Sequence, residues 1–298
     1  MQWTAVVNPT AGRGRTRRLL PRLRAALEDA GIAVHVSGDA AEGATIARAA
    51  CARGDGIVAC GGDGTVAALA GIAAETRGVL AVVPTGAGND LARHLGIGHR
   101  RPLDAVALPA DPERAGSLQP VDLGRATAAD GTTRWFTTVA NVGFDAEANR
   151  WANGVRWATG TPLYVLAMLR TLVAYRPQPI TVRVDGQERS GAMWLVAVGN
   201  TRCYAGGMQI TPDARVDDGL LDVCVIGTSS RFELVTRFPS VFRGRHPRAA
   251  AVEILRGKAI ELSSTGALEL WASGERVGPL PATVDVIPAA IQVLIPRC

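Results

Sequence analysis

The sequence predicts an α/β protein in two parts: an N-terminal three-layer α/β domain with a parallel sheet over residues 1–122, and a C-terminal β-rich sandwich domain over residues 123–298. Two observations carry this. In the first third, short apolar runs alternate with segments of helical periodicity, the signature of parallel βαβ units. From about residue 120, short β-prone runs dominate, which suggests an antiparallel sandwich or barrel. An apolar content of 47% is enough for both cores.

The elements follow in order. Trp3–Val7 reads as a first strand and Asn8–Gly14 as a polar, Gly-rich turn. Leu19, Leu20, Leu23, Ala26, Leu27 and Ala30 then recur at helical spacing until Gly31. Ile32–Val36 is a second strand, Ala40–Ala52 an Ala-rich helix and Gly56–Cys60 a third strand. Gly61–Thr65 turns into a helix over Val66–Ala74. Val79–Val83 is the fourth strand, followed by the loop Pro84–Asp90 and a helix from about Leu91. A loop rich in Pro, Asp and Gly, Pro109–Gln119, puts the domain boundary near Gln119–Leu123. Beyond it lie strand candidates at Trp135–Val142, Ile180–Val184, Trp194–Val198, Leu220–Ile226, Val252–Leu255, Ala259–Leu262, Leu268–Ala272, Thr283–Ile287 and Ile291–Ile295. Asp185-Gly186 marks a hairpin. Two helices interrupt the strands: Leu163–Tyr175, and one opened by the capping-box pattern Ser230…Glu233.

Composition excludes several classes. The formal charge is +5, and of the 32 basic residues one, Lys258, is a lysine. A Walker A loop, a protein kinase and a pyridoxal enzyme each need a lysine in a context that Lys258 lacks. The mild surplus suits acidic small molecules or an anionic membrane surface. No basic stretch carries interleaved aromatics, so nucleic acid is not expected as a partner. Cys51, Cys60, Cys203, Cys224 and Cys298 show no CxxC spacing, and His35, His94, His99 and His246 form no cluster, so a zinc site is not expected. The scattered cysteines and the strand-like N-terminus read as a cytoplasmic protein with reduced thiols. No window reaches 18 apolar residues, so membrane contact is expected to be peripheral.

The chemistry concentrates at three Gly-rich turns after strands. Gly61-Gly62-Asp63-Gly64-Thr65 lets backbone N–H groups approach an oxyanion at a helix start. A carboxylate repels phosphate unless a cation bridges them, so Asp63 beside a phosphate implies Mg2+. Thr85–Asp90 follows the next strand, which places both turns at one sheet edge. Asn8–Gly14, with Arg13, Arg15, Arg17 and Arg18, is the third, and there Arg13 suits a clamp on phosphate oxygens. An ordinary βα turn with Asp63 as helix cap is the bland alternative.

These pieces, in this order, resemble the catalytic domain of the diacylglycerol kinase and sphingosine kinase superfamily, the bacterial lipid kinases most closely. The resemblance runs through Val7-Asn-Pro-Thr-Ala-Gly12, Gly61–Thr65, Pro84-x-Gly-x-Gly-Asn-Asp90 and Asn141-Val-Gly-Phe-Asp145. It continues with Gly199-Asn200, Gly206-Gly-Met-x-Ile-x-Pro-Asp-Ala214, Asp218-Gly-Leu-Leu-Asp222, Gly274-Glu275 and Pro281. It implies an ATP- and Mg2+-dependent lipid kinase with its active site in the cleft between the two domains. It also assigns nucleotide contacts to Asn8, Arg13, Ser37, Gly61, Gly62, Asp63, Gly64, Thr65, Val66, Ala67, Ala87 and Asp90. Asp63 would act through Mg2+, Glu275 would take the proton from the lipid hydroxyl, and Arg215, Asp218 and Leu220 match a structural Mg2+ loop. For that loop, an ordinary Asp-Gly turn is the reading without the resemblance.

The chain departs from the family pattern at three places. Ser273 precedes Gly274-Glu275 where relatives carry Asp, Ala87 stands where Thr is common, and Ala67-Ala68 replace Asn-Glu. Two alternatives therefore stay open: a non-catalytic nucleotide- or lipid-binding regulator on the same scaffold, and a kinase for a soluble acceptor such as NAD. The expected partners are ATP and a lipid substrate at the membrane surface, with a homodimer left open. The helix Leu163–Tyr175, apolar around much of its circumference, either lines an acyl groove or packs on the second domain's sheet.

Overall fold

A computed structural model describes residues 1–98, 101–154 and 160–297, so His99 and Cys298 lie outside the described residues. Two compact units emerge: Met1–Leu123 together with Ala289–Cys298, and Gly124–Pro288.

In the first unit, β1 (Trp3–Val7) pairs in parallel with β2 (Ala33–Val36) and with β3 (Gly56–Gly61), and β3 pairs in parallel with β4 (Val79–Pro84). β1 and β3 are buried at every position, as expected of strands covered on both faces by crossover helices. Those helices are α1 (Ala11–Asp29), α2 (Ala40–Ala52) and α3 (Asp63–Thr76). Asp39 caps α2 by accepting from the Glu42 N–H at 2.8 Å. Three helices of four or five residues follow β4: α4 (Asp90–His94), α5 (Ala107–Ala110) and α6 (Pro112–Ala115).

The second unit is antiparallel. β5 (Gly116–Ala128) enters it and pairs with β6 (Thr133–Phe136) from Gly124 onward. β7 (Val139–Gly143) is followed by α7 (Phe144–Gly154) and α8 (Gly160–Ala174). β8 (Gln178–Val184) and β9 (Gln187–Gly199) form the hairpin expected at Asp185-Gly186, whose φ values of 46° and 87° are those of a left-handed two-residue turn. β10 (Leu221–Gly227) pairs with β9 and with β11 (Val252–Gly257), with α9 (Arg231–Val241) in between. Ser230 caps α9 by accepting from Glu233 N–H at 3.1 Å, as the capping box predicts. β12 (Ala259–Ser264), β13 (Glu269–Ala272), β14 (Glu275–Pro279) and β15 (Ala282–Pro296) complete the order.

Alternation along β9 and β10 separates two cores. Val196, Val198, Leu221, Val223 and Val225 join Phe136, Ile180, Ile260 and Leu270 in a core made of strands. Leu195, Ala197, Cys224 and Ile226 face the other way, toward Ala148 of α7, Met168 and Leu172 of α8 and Phe238 of α9. The predicted strand Trp135–Val142 is in fact β6 and β7, separated at Thr137-Thr138.

Two sequence expectations need correction. The boundary near Gln119–Leu123 coincides with the division after Leu123, but the loop Pro109–Gln119 expected before it is occupied by α5, α6 and the start of β5, which runs through the boundary without a break. Assigning all of 123–298 to the second domain also fails, because Gln292 and Val293 of β15 pair in parallel with Val79 and Leu80 and so return Ala289–Cys298 to the first unit. Thr283–Ile287 and Ile291–Ile295 are two parts of that one long strand.

Candidate active site

Parallel pairing of β1, β3 and β4 brings their carboxyl ends side by side, so the three Gly-rich segments meet in the first unit. Asn8 Nδ2 donates to Thr65 Oγ1 at 2.9 Å, while Asn8 Oδ1 accepts from the N–H and hydroxyl of Thr10 at 3.0 and 2.7 Å. The N–H groups of Thr85 and Gly86 both donate to Gly61 O at 3.0 Å. Thr16 donates its buried hydroxyl to Thr85 Oγ1 at 2.7 Å, and Arg15 Nη1 reaches Gly86 O at 3.3 Å. The fit leaves no room for side chains: a Cβ on Gly86 would lie 2.3 Å from Gly62 Cα.

Asp63 is the knot between two of these loops. Its Oδ2 accepts from Asn89 N–H at 2.9 Å and its Oδ1 from Asp90 N–H at 2.7 Å. Burial pushes the Asp63 carboxyl above its ordinary value, opposed by the amides of Asp90 and Asn89 and by the charge of Arg93. Asn89 sits at φ 54°, a left-handed conformation that Asn tolerates better than most residues. A Cβ on Gly88 would stand 2.5 Å from Asp63 Oδ2 and 3.1 Å from Asp90 Oδ2. Two carboxylates thus flank a space kept clear by a glycine, with Arg93 Nε 3.6 Å from Asp90 Oδ1 as the neighbouring charge.

The start of α3 completes the arrangement. Its N-cap is Gly62, so the first-turn amides have no capping side chain, and the positive end of a 14-residue helix opens at Gly62–Thr65. Arg13 is exposed at φ 54° between Gly12 and Gly14, which are also left-handed, and a Cβ on Gly12 would approach Thr85 O to 2.9 Å. Ser37, at the end of β2, uses its N–H and hydroxyl on Val7 O at 3.0 and 3.3 Å. Ala87 is exposed at the tip of its loop. Val66 and Ala67 turn their side chains into the core, and the Val66 N–H is spent on Gly62 O, so that run offers a ligand only Gly61–Thr65.

The remaining predicted residues belong to the second unit. Glu275 is exposed and opens β14, directly after the turn Ser273-Gly274 with φ values of 47° and 80°. Ser273 N–H donates to Val139 O at 3.0 Å, and its hydroxyl lies 3.2 Å from that of Thr138. In the 215–220 loop, Asp218 Oδ1 accepts from Leu220 N–H at 3.1 Å and Oδ2 is paired with Arg256 Nη2, while Arg215 reaches Asp217 at 3.2 Å. Arg256 Nε also stands 3.3 Å from Asp222 Oδ1. The cation beside Asp218 is therefore a guanidinium, and an additional Mg2+ does not fit Arg215, Asp218 and Leu220 unless Arg256 is displaced. Among the described residues no group of three or more His, Cys, Asp or Glu side chains is placed to hold a metal ion.

Arg15, Thr85 and Asn89 lie in or beside the Gly-rich turns without an expected role in tying them, and Thr16, which bonds Thr85, is not marked by the sequence at all. An Asn next to Gly88 in a tight turn was the signal for Asn89, since Asn tolerates left-handed backbone; Thr16, among arginines, carried none.

Comparison with known proteins agrees with this architecture. The diacylglycerol kinase catalytic domain matches residues 2–126, and the YegS C-terminal NAD kinase beta sandwich-like domain matches residues 138–295. A diacylglycerol kinase of Mycobacterium tuberculosis (strain ATCC 25618 / H37Rv) is 38% identical over 99% of this chain and 95% of its own length. One from Bacillus subtilis (strain 168) is 27% identical over 98% of this chain and 95% of its own length. The crystal structure of a diacylglycerol kinase from Bacillus anthracis str. Sterne shares the fold, with a TM-score of 0.77 at 24% identity over 99% of this chain and 97% of that one. Among the described residues no helix is long and apolar enough to cross a membrane. The knotted loops, the antiparallel second unit and the matches along nearly the whole length lead to one conclusion: the chain belongs to the diacylglycerol kinase family of lipid kinases, phosphotransferases with an alcohol acceptor.

Proposed function

We propose that this chain transfers the terminal phosphoryl group of ATP to the hydroxyl of diacylglycerol or a related lipid, with Mg2+. The observation that carries the reading is the uncapped start of α3 at Gly62, set among glycines that keep backbone amides accessible to phosphate oxygens. Asp63 and Asp90 would hold Mg2+, which when bound neutralises phosphate charge. Arg13 would pair with the triphosphate oxygens. Glu275 would take the acceptor proton as the lipid oxygen bonds to the γ-phosphorus and the bond from that phosphorus to the β-phosphate oxygen breaks, releasing ADP. A positioned base of this kind contributes about 10²–10⁴-fold.

For the acceptor's chain, the second unit offers an apolar cavity of about 90 Å3 lined by Phe144, Met168, Leu172, Trp194, Met208 and Phe238. At that volume the lining suits a short stretch of an acyl chain, a few methylene groups, and not its whole length.

Purified protein incubated with labelled ATP, Mg2+ and mixed micelles of diacylglycerol, sphingoid base or ceramide tests the proposal. Label should enter a lipid and be lost in Glu275→Gln and Asp63→Asn. Nucleotide binding without transfer to any acceptor would instead favour the regulator reading, which Ser273, Ala87 and Ala68 motivate. Label in NAD would favour a soluble acceptor.

A further inference from the structure

We propose that α8 and α9 form a face that docks on an anionic membrane surface. Of the seven large apolar side chains exposed among the described residues, five lie here: Leu166, Leu169 and Val173 on α8, and Phe232 and Val235 on α9. Spacings of three and four residues line each set along one stripe of its helix. The two stripes adjoin. Leu169 and Val235 line the same cavity, and Arg231 at the start of α9 donates to Tyr175 O just past α8 at 3.2 Å.

Charge names the occupant. Segments 160–176 and 228–251 together hold seven arginines and a single acid, Glu233, a surplus of six where the whole chain's is five. The remainder of the molecule is thus slightly acidic. Arg231, Arg237, Arg243, Arg245 and Arg248 are all exposed. Apolar side chains flanked by arginines, on helices lying beside an apolar cavity, match the chemistry of an acidic headgroup layer over acyl chains. A second copy of this chain would bring the same arginines against themselves, which charge repulsion opposes.

The inference deepens the lipid-kinase reading, yet its test needs no phosphoryl transfer. The full chain is sedimented with vesicles of phosphatidylcholine alone or with about 30 mol% phosphatidylglycerol. Binding is expected to the anionic vesicles and to weaken as salt rises. Val173→Ser with Phe232→Ser, and separately Arg243→Gln with Arg245→Gln and Arg248→Gln, should each weaken it by about tenfold or more. Melting temperatures should hold, since every replaced side chain is exposed. Variants that bind like the wild type would overturn the proposal, as would equal binding to neutral vesicles. So would a dimer that the Val173/Phe232 variant converts to monomer with vesicle binding intact, because the face would then belong to a second copy. On a water-soluble short-chain diacylglycerol the variants should keep wild-type turnover. Absence of transfer with vesicle binding intact would strike the kinase reading alone.

Discussion

The carboxylate of Asp63 accepts the backbone N–H groups of both Asn89 and Asp90, at 2.9 and 2.7 Å, so the residue expected to serve a cation also clamps the neighbouring loop. Both tasks need the ionised form. In Asp63→Asn the amide NH2 replaces one acceptor, and one of the two backbone donors loses its partner. The expected cost is about 1–3 kcal/mol of stability, alongside loss of lipid phosphorylation. Chemical denaturation and the labelled-ATP assay measure the two separately.

The same carboxylate sets a pH dependence. Its value in the folded protein is raised above 3.8 by burial, so between 3.8 and that value the folded state binds more protons than the unfolded one. Stability contributed by this group therefore falls as pH rises through that window, while phosphoryl transfer, which needs the anion, rises. Subtracting the stability profile of Asp63→Asn from that of the wild type should leave a component of this sign; a difference of opposite slope would mean that the clamping amides outweigh burial.

Two glycine substitutions separate crowding from backbone strain. Gly86→Ala puts a methyl group 2.3 Å from Gly62 Cα, a backbone atom that cannot move alone, so the two loops must part. Overpacking of this kind costs about 1–3 kcal/mol, and nucleotide binding should fall with it. Gly14→Ala meets nothing within 4 Å but holds φ at 86°, so it should cost about 1–2 kcal/mol through strain alone. Isothermal titration with ATP should find binding impaired far more in the first variant than in the second.

Local rules made most of this legible. Short apolar runs and helical patterning located β1 to β4 and the helices between them, and the glycines after each strand marked the loops that meet at the sheet edge. What stayed hidden depends on long-range pairing. Residues Pro109–Gln119 read as a loop because Pro, Asp and Gly crowd there, yet Gly116–Gln119 open a strand that runs on to Ala128. Nothing local announces that Gln292 will pair with Val79, or that Arg256 will settle on Asp218 and Asp222.

Ser273 occupies a left-handed position, φ 47°, in a two-residue turn whose second member is Gly274 at φ 80°. Asp and Asn tolerate that conformation better than Ser, and their oxygen keeps a partner for Thr138. Ser273→Asp is expected to stabilise the hairpin by about 0.5 kcal/mol and to leave turnover equal or higher. A sharp fall in turnover with stability retained would give the Ser273 hydroxyl a chemical role of its own.

Arg256 bridges Asp218 and the buried Asp222, at the loop where the family resemblance implies a structural Mg2+ on Arg215, Asp218 and Leu220. Burial pushes Asp222 above its ordinary carboxyl value, and Arg256 is the charge that most opposes this. Removing one partner leaves the other carboxylate uncompensated, but Arg256 is 43% exposed, so water screens part of the loss. Arg256→Gln should therefore cost about 1–3 kcal/mol at neutral pH, less than a fully buried pair. The penalty should shrink as pH falls, because Asp222 with its raised value takes up a proton before an ordinary carboxyl does and then needs no countercharge. EDTA should leave the wild-type melting temperature unchanged, and Mg2+ should restore part of the loss in Arg256→Gln. A wild-type melting temperature that drops in EDTA, with the drop abolished by Asp218→Asn, would show a metal, and not the guanidinium, holding this loop.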